Sequence, residues 1–167
     1  GTTTHLGAEL LFKNLAKVDI THAPYAPASA ATAVVSGQVP VGSTSIPPVV
    51  QLAKAGKVRP IAVTSLKRSG ALPQVPTVQQ AGGQAFEARS WFGAFAPAGT
   101  PRNIVQKLSN DIWEVTSSKD YAENYLIPNG YDPVNTITPA QFPKFLADDR
   151  AKWEKAIALV PPEKLKI

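Results

Sequence analysis

Apolar side chains in the first part of the chain change from the spacing of a helix to that of a strand. After a Thr-rich start, the helical stripe consists of Leu6, Leu10, Leu11, Leu15 and Val18. Residues 18–22 then alternate apolar and polar side chains, which is the pattern of a half-buried strand. The sequence therefore predicts a helix followed by a short strand.

Helices and short strands keep alternating as far as residue 64. The predicted elements are a helix at 27–36, a strand at 39–44, a helix at 47–55 and a strand at 58–64. Gly37 and Gly56 follow the two helices, and a glycine can take the left-handed conformation that ends a helix. Because the elements alternate with connections of a few residues, the predicted class is α/β, with a largely parallel sheet flanked by helices.

The rest of the chain has longer and more aromatic elements. The first are a short helix capped by Thr77 and ended by Gly82, and a strand at 86–95. A helix opened by Thr100-Pro101 follows, with the stripe Ile104, Leu108, Ile112 and Val115, and then a short helix at 118–126 and an extended piece at 131–134. The last helix is opened by Thr138-Pro139, and Gln141 completes its capping box. The three Trp residues lie after residue 88, and the helices before it are small and Ala-rich. This shift predicts two lobes, residues 1–88 and 89–167.

Composition excludes several classes of function. The 167 residues contain no Cys, which rules out thiolate metal sites, thiol catalysis and disulfides. The net charge of +5 favours anionic partners, but the basic residues are scattered and not interleaved with aromatic ones, so we expect no nucleic-acid partner. No apolar run is long enough to span a bilayer.

The common catalytic and cofactor motifs are missing. Neither G-x-S-x-G, G-x-G-x-x-G nor a P-loop occurs, so no cofactor is predicted. His5 and His22 have no evident metal-ligand spacing with each other or with an acidic residue, and we therefore predict no metal site. A hydrolase in which Ser43 or Ser45 meets His22 stays open as a minor alternative.

The segment from Gly1 to His5 is a candidate anion site. It places a glycine and three hydroxyls directly before a predicted helix. A helix N-terminus presents unpaired N–H groups and a partial positive charge, to which hydroxyls can add donors for a carboxylate. The competing interpretation is that one Thr only caps the helix.

Several short motifs occur in a fixed order along the chain. They are Gly1-Thr2-Thr3-Thr4-His5-Leu6, His22-Ala23-Pro24-Tyr25, Ser36-Gly37-Gln38-Val39, Leu72-Pro73-Gln74-Val75-Pro76-Thr77 and Ala96-Pro97-Ala98-Gly99-Thr100-Pro101. In this order they resemble the motifs G-[ST]-x-x-H-L, H-V-P-Y, G-G-Q-V, L-P-D-V-P-T and A-P-A-G-T-P of a known family. That family comprises the periplasmic solute-binding proteins of tripartite tricarboxylate transporters, the TctC or Bug family.

The resemblance implies a type II periplasmic-binding fold, in which two α/β lobes close over a small organic carboxylate. The chain starts at the motif of the second ligand-binding loop, so the first lobe is expected to be incomplete. Residues 1–88 would be the second lobe without its entering strand, and residues 89–167 the C-terminal part of the first lobe.

The resemblance also implies a set of ligand-binding residues. The second loop of the family corresponds to Gly1, Thr2, Thr3, Thr4 and His5, and weaker candidates are Tyr25, Thr44 and Ser45. Many family members have an acidic residue where this chain has Thr44, which favours a ligand without an amino group. The implied role is non-enzymatic capture in the periplasm and delivery to membrane transporter subunits.

Two further expectations complete this interpretation. The same two-lobed fold occurs in effector-binding domains of transcription regulators, which is the main alternative function. A chain that lacks part of a lobe would also expose apolar surface, so self-association is expected.

Overall fold

A computed structural model describes residues 2–133 and 137–160. The first helix, α1, spans Thr3–Glu9 and continues as a π-helical segment over Leu10–Leu15. Thr2 is extended and caps it, and Lys17 ends the run with φ 56. The predicted first helix is thus confirmed, with its second half in π-helical form.

The next two helices also follow the prediction. Helix α2 spans Pro27–Val35 and α3 spans Pro47–Lys54, and each begins with a proline, whose fixed φ suits the first helical position. Gly37 and Gly56 have φ of 73 and 67, the left-handed conformation expected after a helix.

The predicted sheet is not confirmed in the described part of the chain. Residues 18–22, 39–44 and 86–95 are irregular. At 39–44, Pro40 lacks a donor N–H and Gly42 weakens strand formation. Near 58–64 there is an isolated parallel bridge between Val63 and Thr77. The parallel sheet therefore stays a prediction.

The predicted helix after Thr77 is a capped turn. The Gln80 N–H donates to Thr77 Oγ1 (3.1 Å), and the Thr77 N–H donates to Gln80 Oε1 (3.2 Å). Gly82, with φ 93, then ends the turn before a helix can propagate. The adjacent core is formed by Val63, Leu72 and Val75, with Ile46, Ala53 and Ala71 packed against it.

The C-terminal helices are long and peripheral. Helix α4 spans Arg102–Ser117. Helix α5 spans Lys119–Tyr121 and continues through a π-helical segment, Ala122–Leu126, and a 3-10 turn, Ile127–Asn129. Helix α6 spans Phe142–Ile157 and follows a 3-10 turn, Pro139–Gln141. The Thr138 N–H donates to Gln141 Oε1 (3.0 Å), as the predicted capping box requires. Of the extended piece predicted at 131–134, residues 131–133 are irregular and Val134 lies outside the described residues.

The apolar stripe of α4 is not covered. Its members Ile104, Leu108, Ile112 and Val115 are 47%, 50%, 45% and 51% exposed. The chain exposes 11291 Å² in all, whereas a compact monomer of this mass exposes about 8,000 Å². The molecule thus presents an apolar surface on this helix that the described part of the chain leaves about half exposed. No helix in the described ranges is both long and apolar enough to cross a membrane.

The turn after the 3-10 segment Ile127–Asn129 packs against the N-terminal half. The Asp132 carboxylate accepts hydrogen bonds from Ser69 Oγ (3.1 Å) and the Gly70 N–H (3.0 Å). At Gly130, which has φ 85, an added Cβ would lie 2.9 Å from backbone atoms of Pro47 and from Val50 Cγ2. Only glycine fits this close contact.

Gly130→Ala should lower the free energy of unfolding by about 2–5 kcal/mol. Left-handed backbone costs a non-glycine residue about 1–2 kcal/mol, and overpacking against Pro47 adds about 1–3 kcal/mol. The matched control is Gly37→Ala, since Gly37 is also left-handed but has nothing within 4 Å of an added Cβ. Urea unfolding measures both; equal losses would contradict the close contact.

Candidate functional site

The N-terminus of α1 carries the predicted threonine cluster. Thr2 Oγ1 accepts from the His5 N–H at 3.4 Å and lies 3.0 Å from Thr4 Oγ1. The capping bond is long, so Thr2 caps the helix only weakly. One of the two threonine hydroxyls donates to the other, and the second keeps its O–H for another acceptor. Gly1 lies outside the described residues.

A loop from a distant part of the chain lies against this cluster. Ser43 Oγ donates to the Thr4 carbonyl (3.1 Å), and Thr44 Oγ1 donates to the Pro27 carbonyl at the start of α2 (3.0 Å). The loop therefore joins the beginnings of α1 and α2. Because a hydroxyl has a single O–H, Thr44 has already used its donor. The neighbouring Ser45 is half-buried.

Tyr25 lies in a separate shallow groove along α2. Its side chain is 43% exposed, and the groove, about 390 Å³ in volume, is also bordered by Thr32 and Gln38. Another depression of about 590 Å³ contains Lys57 and Arg59 and none of the predicted site residues. The structure thus brings Thr2, Thr4 and the loop at 43–44 together and leaves Tyr25 to one side.

A buried carboxylate behind the threonine cluster was missed by the sequence interpretation. Glu9, on α1, is 2% exposed, and its Oε1 lies 2.9 Å from His22 Nε2. Its Oε2 lies 3.7 Å from Lys13 Nζ. The ring centroids of His5 and His22 are 4.9 Å apart. Burial, followed by the charge of His22, lowers the pKa of His5 below its ordinary value.

The structure brings together three possible metal ligands that the spacing argument did not identify. His5 and Glu9 are four residues apart, so they share one face of α1, and the loop after α1 brings His22 to the same face. Ligand atoms of the three side chains all lie within 4.8 Å of one another. The i, i+4 spacing of His5 and Glu9 can be seen in the sequence, whereas the return of His22 to the same face of α1 cannot.

The same contact bears on the hydrolase alternative. His22 Nε2 faces Glu9, and the described hydrogen bonds include none between His22 and Ser43 or Ser45. Ser43 instead donates to Thr4. The Ser–His pair that this alternative requires is therefore not formed.

Trp91 has a packing role. Its Nε1 donates to Asp149 Oδ2 of α6 (2.9 Å), and its ring meets those of Phe142 and Phe145 edge-on, with centroids 5.8 and 5.4 Å apart. Such edge-to-face aromatic pairs add stability beyond the area they bury. Trp91 thereby attaches the segment after residue 88 to α6.

Comparison with known proteins identifies the class of protein to which the chain is similar, that of solute-binding receptors. Residues 1–160 match the family described as the tripartite tricarboxylate transporter family receptor, TctC. The chain belongs to this family, which confirms the resemblance seen in the motifs.

Two curated relatives show how much of a family member the chain represents. It is 35% identical to the UPF0065 protein in the tcbD-tcbE intergenic region of Pseudomonas sp. strain P51, over 94% of this chain and 46% of the relative. It is 32% identical to the protein BugT of Bordetella pertussis, over 92% of this chain and 46% of BugT. The chain thus spans about half the length of these relatives.

Two solved structures share the fold. R. palustris Rpa4515 with adipate matches with a TM-score of 0.85 and 34% identity, over 93% of this chain and 52% of that one. MatC (Rpa3494) from Rhodopseudomonas palustris with bound malate matches with a TM-score of 0.77 and 29% identity, over 92% and 53%. These likenesses support the type II-like α/β class, while the strand arrangement in this chain stays unconfirmed.

Trp91→Phe should destabilise the chain by about 1.5–3 kcal/mol. The substitution keeps an aromatic ring but leaves the Asp149 carboxylate without its indole donor, and a hydrogen bond to a charged group contributes about that much. Thermal unfolding of Trp91→Phe and of Trp91→Phe with Asp149→Leu measures the effect. If the double variant is no more stable than Trp91→Phe alone, the unpaired Asp149 carboxylate is not the source of the destabilisation.

Proposed function

We propose that this chain is part of a periplasmic receptor, with residues 1–88 in one lobe and residues 89–167 in the other. The receptor captures a small organic carboxylate and delivers it to a tripartite tricarboxylate-type transporter. Family membership supports this role, and the adipate and malate bound to the two structural neighbours supply the class of ligand.

The observation that carries the proposal is the start of α1. The first-turn N–H groups of a helix have no carbonyl partner within it, and its dipole attracts negative charge. Thr2 and Thr4 place hydroxyls beside these amides. A carboxylate seated there would accept from backbone N–H groups and from the hydroxyl that the Thr2–Thr4 pair leaves unused.

The remaining candidate residues have secondary roles in this proposal. Gly1 and Thr3 belong to the same loop and would contribute backbone donors, and His5 would border the ligand from the first turn. Ser45 directly follows Thr44 in the sequence and would add a hydroxyl donor. Thr44, whose donor is used on Pro27, would form an uncharged wall, and Tyr25 would cover the site only after a movement of its loop.

The proposed mechanism is closure of two lobes, divided near residue 88. The donors on α1 form one half of the clamp, and the other half would come from the part of a family member that the chain does not span. The effector-domain alternative finds no support in the relatives described above. Binding and release, without chemistry, fit the absence of a Ser–His pair among the described contacts.

The uncovered stripe of α4 supports self-association of the isolated chain. Four apolar side chains, each about half exposed, lie on one face of this helix, and a large apolar patch favours association. A second copy could cover the surface that the rest of a family member would otherwise bury.

Thr4→Ala should weaken carboxylate binding roughly ten- to hundredfold. Losing one hydrogen bond to a charged group costs about 1.5–3 kcal/mol, and alanine at this helical position leaves the Thr2 cap in place. Calorimetry with adipate, malate and a tricarboxylate, on the protein produced at the full length of its gene, measures the change.

The matched control for this experiment is Thr116→Ala. Thr116 donates to the Ile112 carbonyl on α4, away from the threonine cluster, and its loss should leave the affinity unchanged. Equal affinity of Thr4→Ala and the unmodified protein would contradict the site. Absence of binding to every acid tested would contradict the function itself.

Leu108→Glu should reduce self-association of the 167-residue chain. Leu108 is central in the α4 stripe, and covering its exposed half stabilises a contact by about 1 kcal/mol per copy, which a buried carboxylate would more than reverse. Analytical ultracentrifugation over a concentration series measures this, with Gln106→Glu as a control for added charge on the same helix. A chain that is monomeric at high concentration before any substitution would contradict the expectation.

A further inference from the structure

We propose that His5, Glu9 and His22 form a binding site for one divalent transition-metal ion of the zinc type. The inference does not rest on the proposed carboxylate receptor function, although His5 belongs to both sites, because it is argued from the side chains behind the N-terminus of α1.

The three side chains come together from two segments. His5 and Glu9 lie one turn apart on α1, so their side chains project from the same face. The chain then reverses, with Lys17 in the left-handed conformation, and the following loop returns His22 to this face. Ligand atoms of all three lie within 4.8 Å of one another.

Two buried polar atoms at the centre of the cluster lack hydrogen-bond partners. Glu9 Oε1 and His22 Nε2 are both buried and lie 2.9 Å apart, yet their angles are not those of a hydrogen bond, and neither has another partner in the described part of the chain. A buried carboxylate oxygen without a donor is costly. An ion between the two atoms would satisfy both.

The distance between these atoms fits joint ligation. Zinc binds imidazole nitrogen and carboxylate oxygen at about 2.0–2.1 Å, and two such ligands at angles of 90–110° lie about 2.9–3.4 Å apart. The observed 2.9 Å is at the short end of this range. His5 is half-buried and offers a ring nitrogen within 4.8 Å of the other ligand atoms, so it would move closer to them to complete the site.

The ligand types indicate the class of metal. Two imidazoles and one carboxylate suit zinc, cobalt and nickel better than calcium or magnesium, which prefer oxygen alone. Three protein ligands would leave the fourth tetrahedral position for water or another small ligand. The lowered pKa of His5 favours the neutral imidazole that a metal requires.

An ion pair between Glu9 and protonated His22 is the competing explanation. The other charged groups near the cluster are Lys13, whose Nζ lies 3.7 Å from Glu9 Oε2, and Asp19, 3.7 Å from the same Nζ. Lys13 contacts the oxygen that does not face His22, so an ion at Oε1 could coexist with it as with other outer-shell partners. The two explanations differ in the protonation of His22 and in the response to metal.

Titration with Co²⁺ and Zn²⁺ separates them. The protein is stripped with a chelator and titrated with Co²⁺, whose visible spectrum reports tetrahedral nitrogen and oxygen ligation, and Zn²⁺ is then added in competition. We expect one ion per chain, displaced by Zn²⁺ and not by Mg²⁺. No saturable Co²⁺ or Zn²⁺ binding would overturn the proposal.

Variants assign the ligands. Glu9→Gln and His22→Gln keep the shape of each side chain and should each lower the affinity at least about tenfold. Asp111→Asn is the matched control, since Asp111 is an exposed carboxylate paired with a lysine four residues away, as Glu9 is with Lys13. Affinity that survives both Glu9→Gln and His22→Gln would overturn the assignment.

A measurement on the unmodified protein covers the case in which a variant fails to fold. The 167 residues contain only two histidines, so their imidazole resonances in nitrogen-correlated NMR spectra can be followed individually. Zn²⁺ should shift both rings together and fix one tautomer for each. Rings that keep their metal-free resonances at saturating Zn²⁺ would rule out the site, whatever the outcome of the carboxylate titrations.

Discussion

The predicted parallel sheet depends on one constraint, which is the pairing of strands that are distant in sequence. Each strand of such a sheet satisfies its N–H and C=O groups through strands that are distant in sequence. The chain spans about half the length of its relatives, and its strand-like segments find few such partners: the Val63–Thr77 bridge and a hydrogen bond from the Ala88 N–H to Thr64 O. The stripe of α4 is likewise left about half exposed by the described part of the chain.

This constraint also explains which parts of the fold were predictable. The helices depend on local signals, such as the proline that opens α2, the left-handed Gly37 that follows it and the reciprocal contacts of Thr138 and Gln141. Local signals act in any context, and these helices formed as predicted. The strand at 39–44 had only an apolar alternation in its favour, and that pattern gives no structure until a neighbouring strand is present. Thr77 and Gln80 show the intermediate case, in which capping is correct but the helix does not propagate.

The candidate site likewise has a part that the sequence predicts and a part that it does not. The threonines could be read from the sequence because they are adjacent and precede a helix. The contact of Ser43 with Thr4 joins residues 39 positions apart, and that of Glu9 with His22 depends on the path of a loop. Neither follows from spacing. Trp91 is held by Asp149 and two phenylalanines of α6 and has a packing role, which depends on contacts between residues that are distant in sequence.

The proposed anion site and the buried cluster would lie on one helix, so a charge at one would act on the other. Glu9 is six residues beyond Thr3, or about 9 Å along the helix axis. At that distance a bare carboxylate would oppose a bound carboxylate by about 2 kcal/mol at an effective dielectric constant of 20, which is more than a tenfold loss of affinity. Lys13, 3.7 Å from the second oxygen of Glu9, offsets part of this repulsion, and a cation held between Glu9 and His22 would offset the rest. Neutralisation of Glu9 would therefore strengthen anion binding at the site proposed for the start of α1.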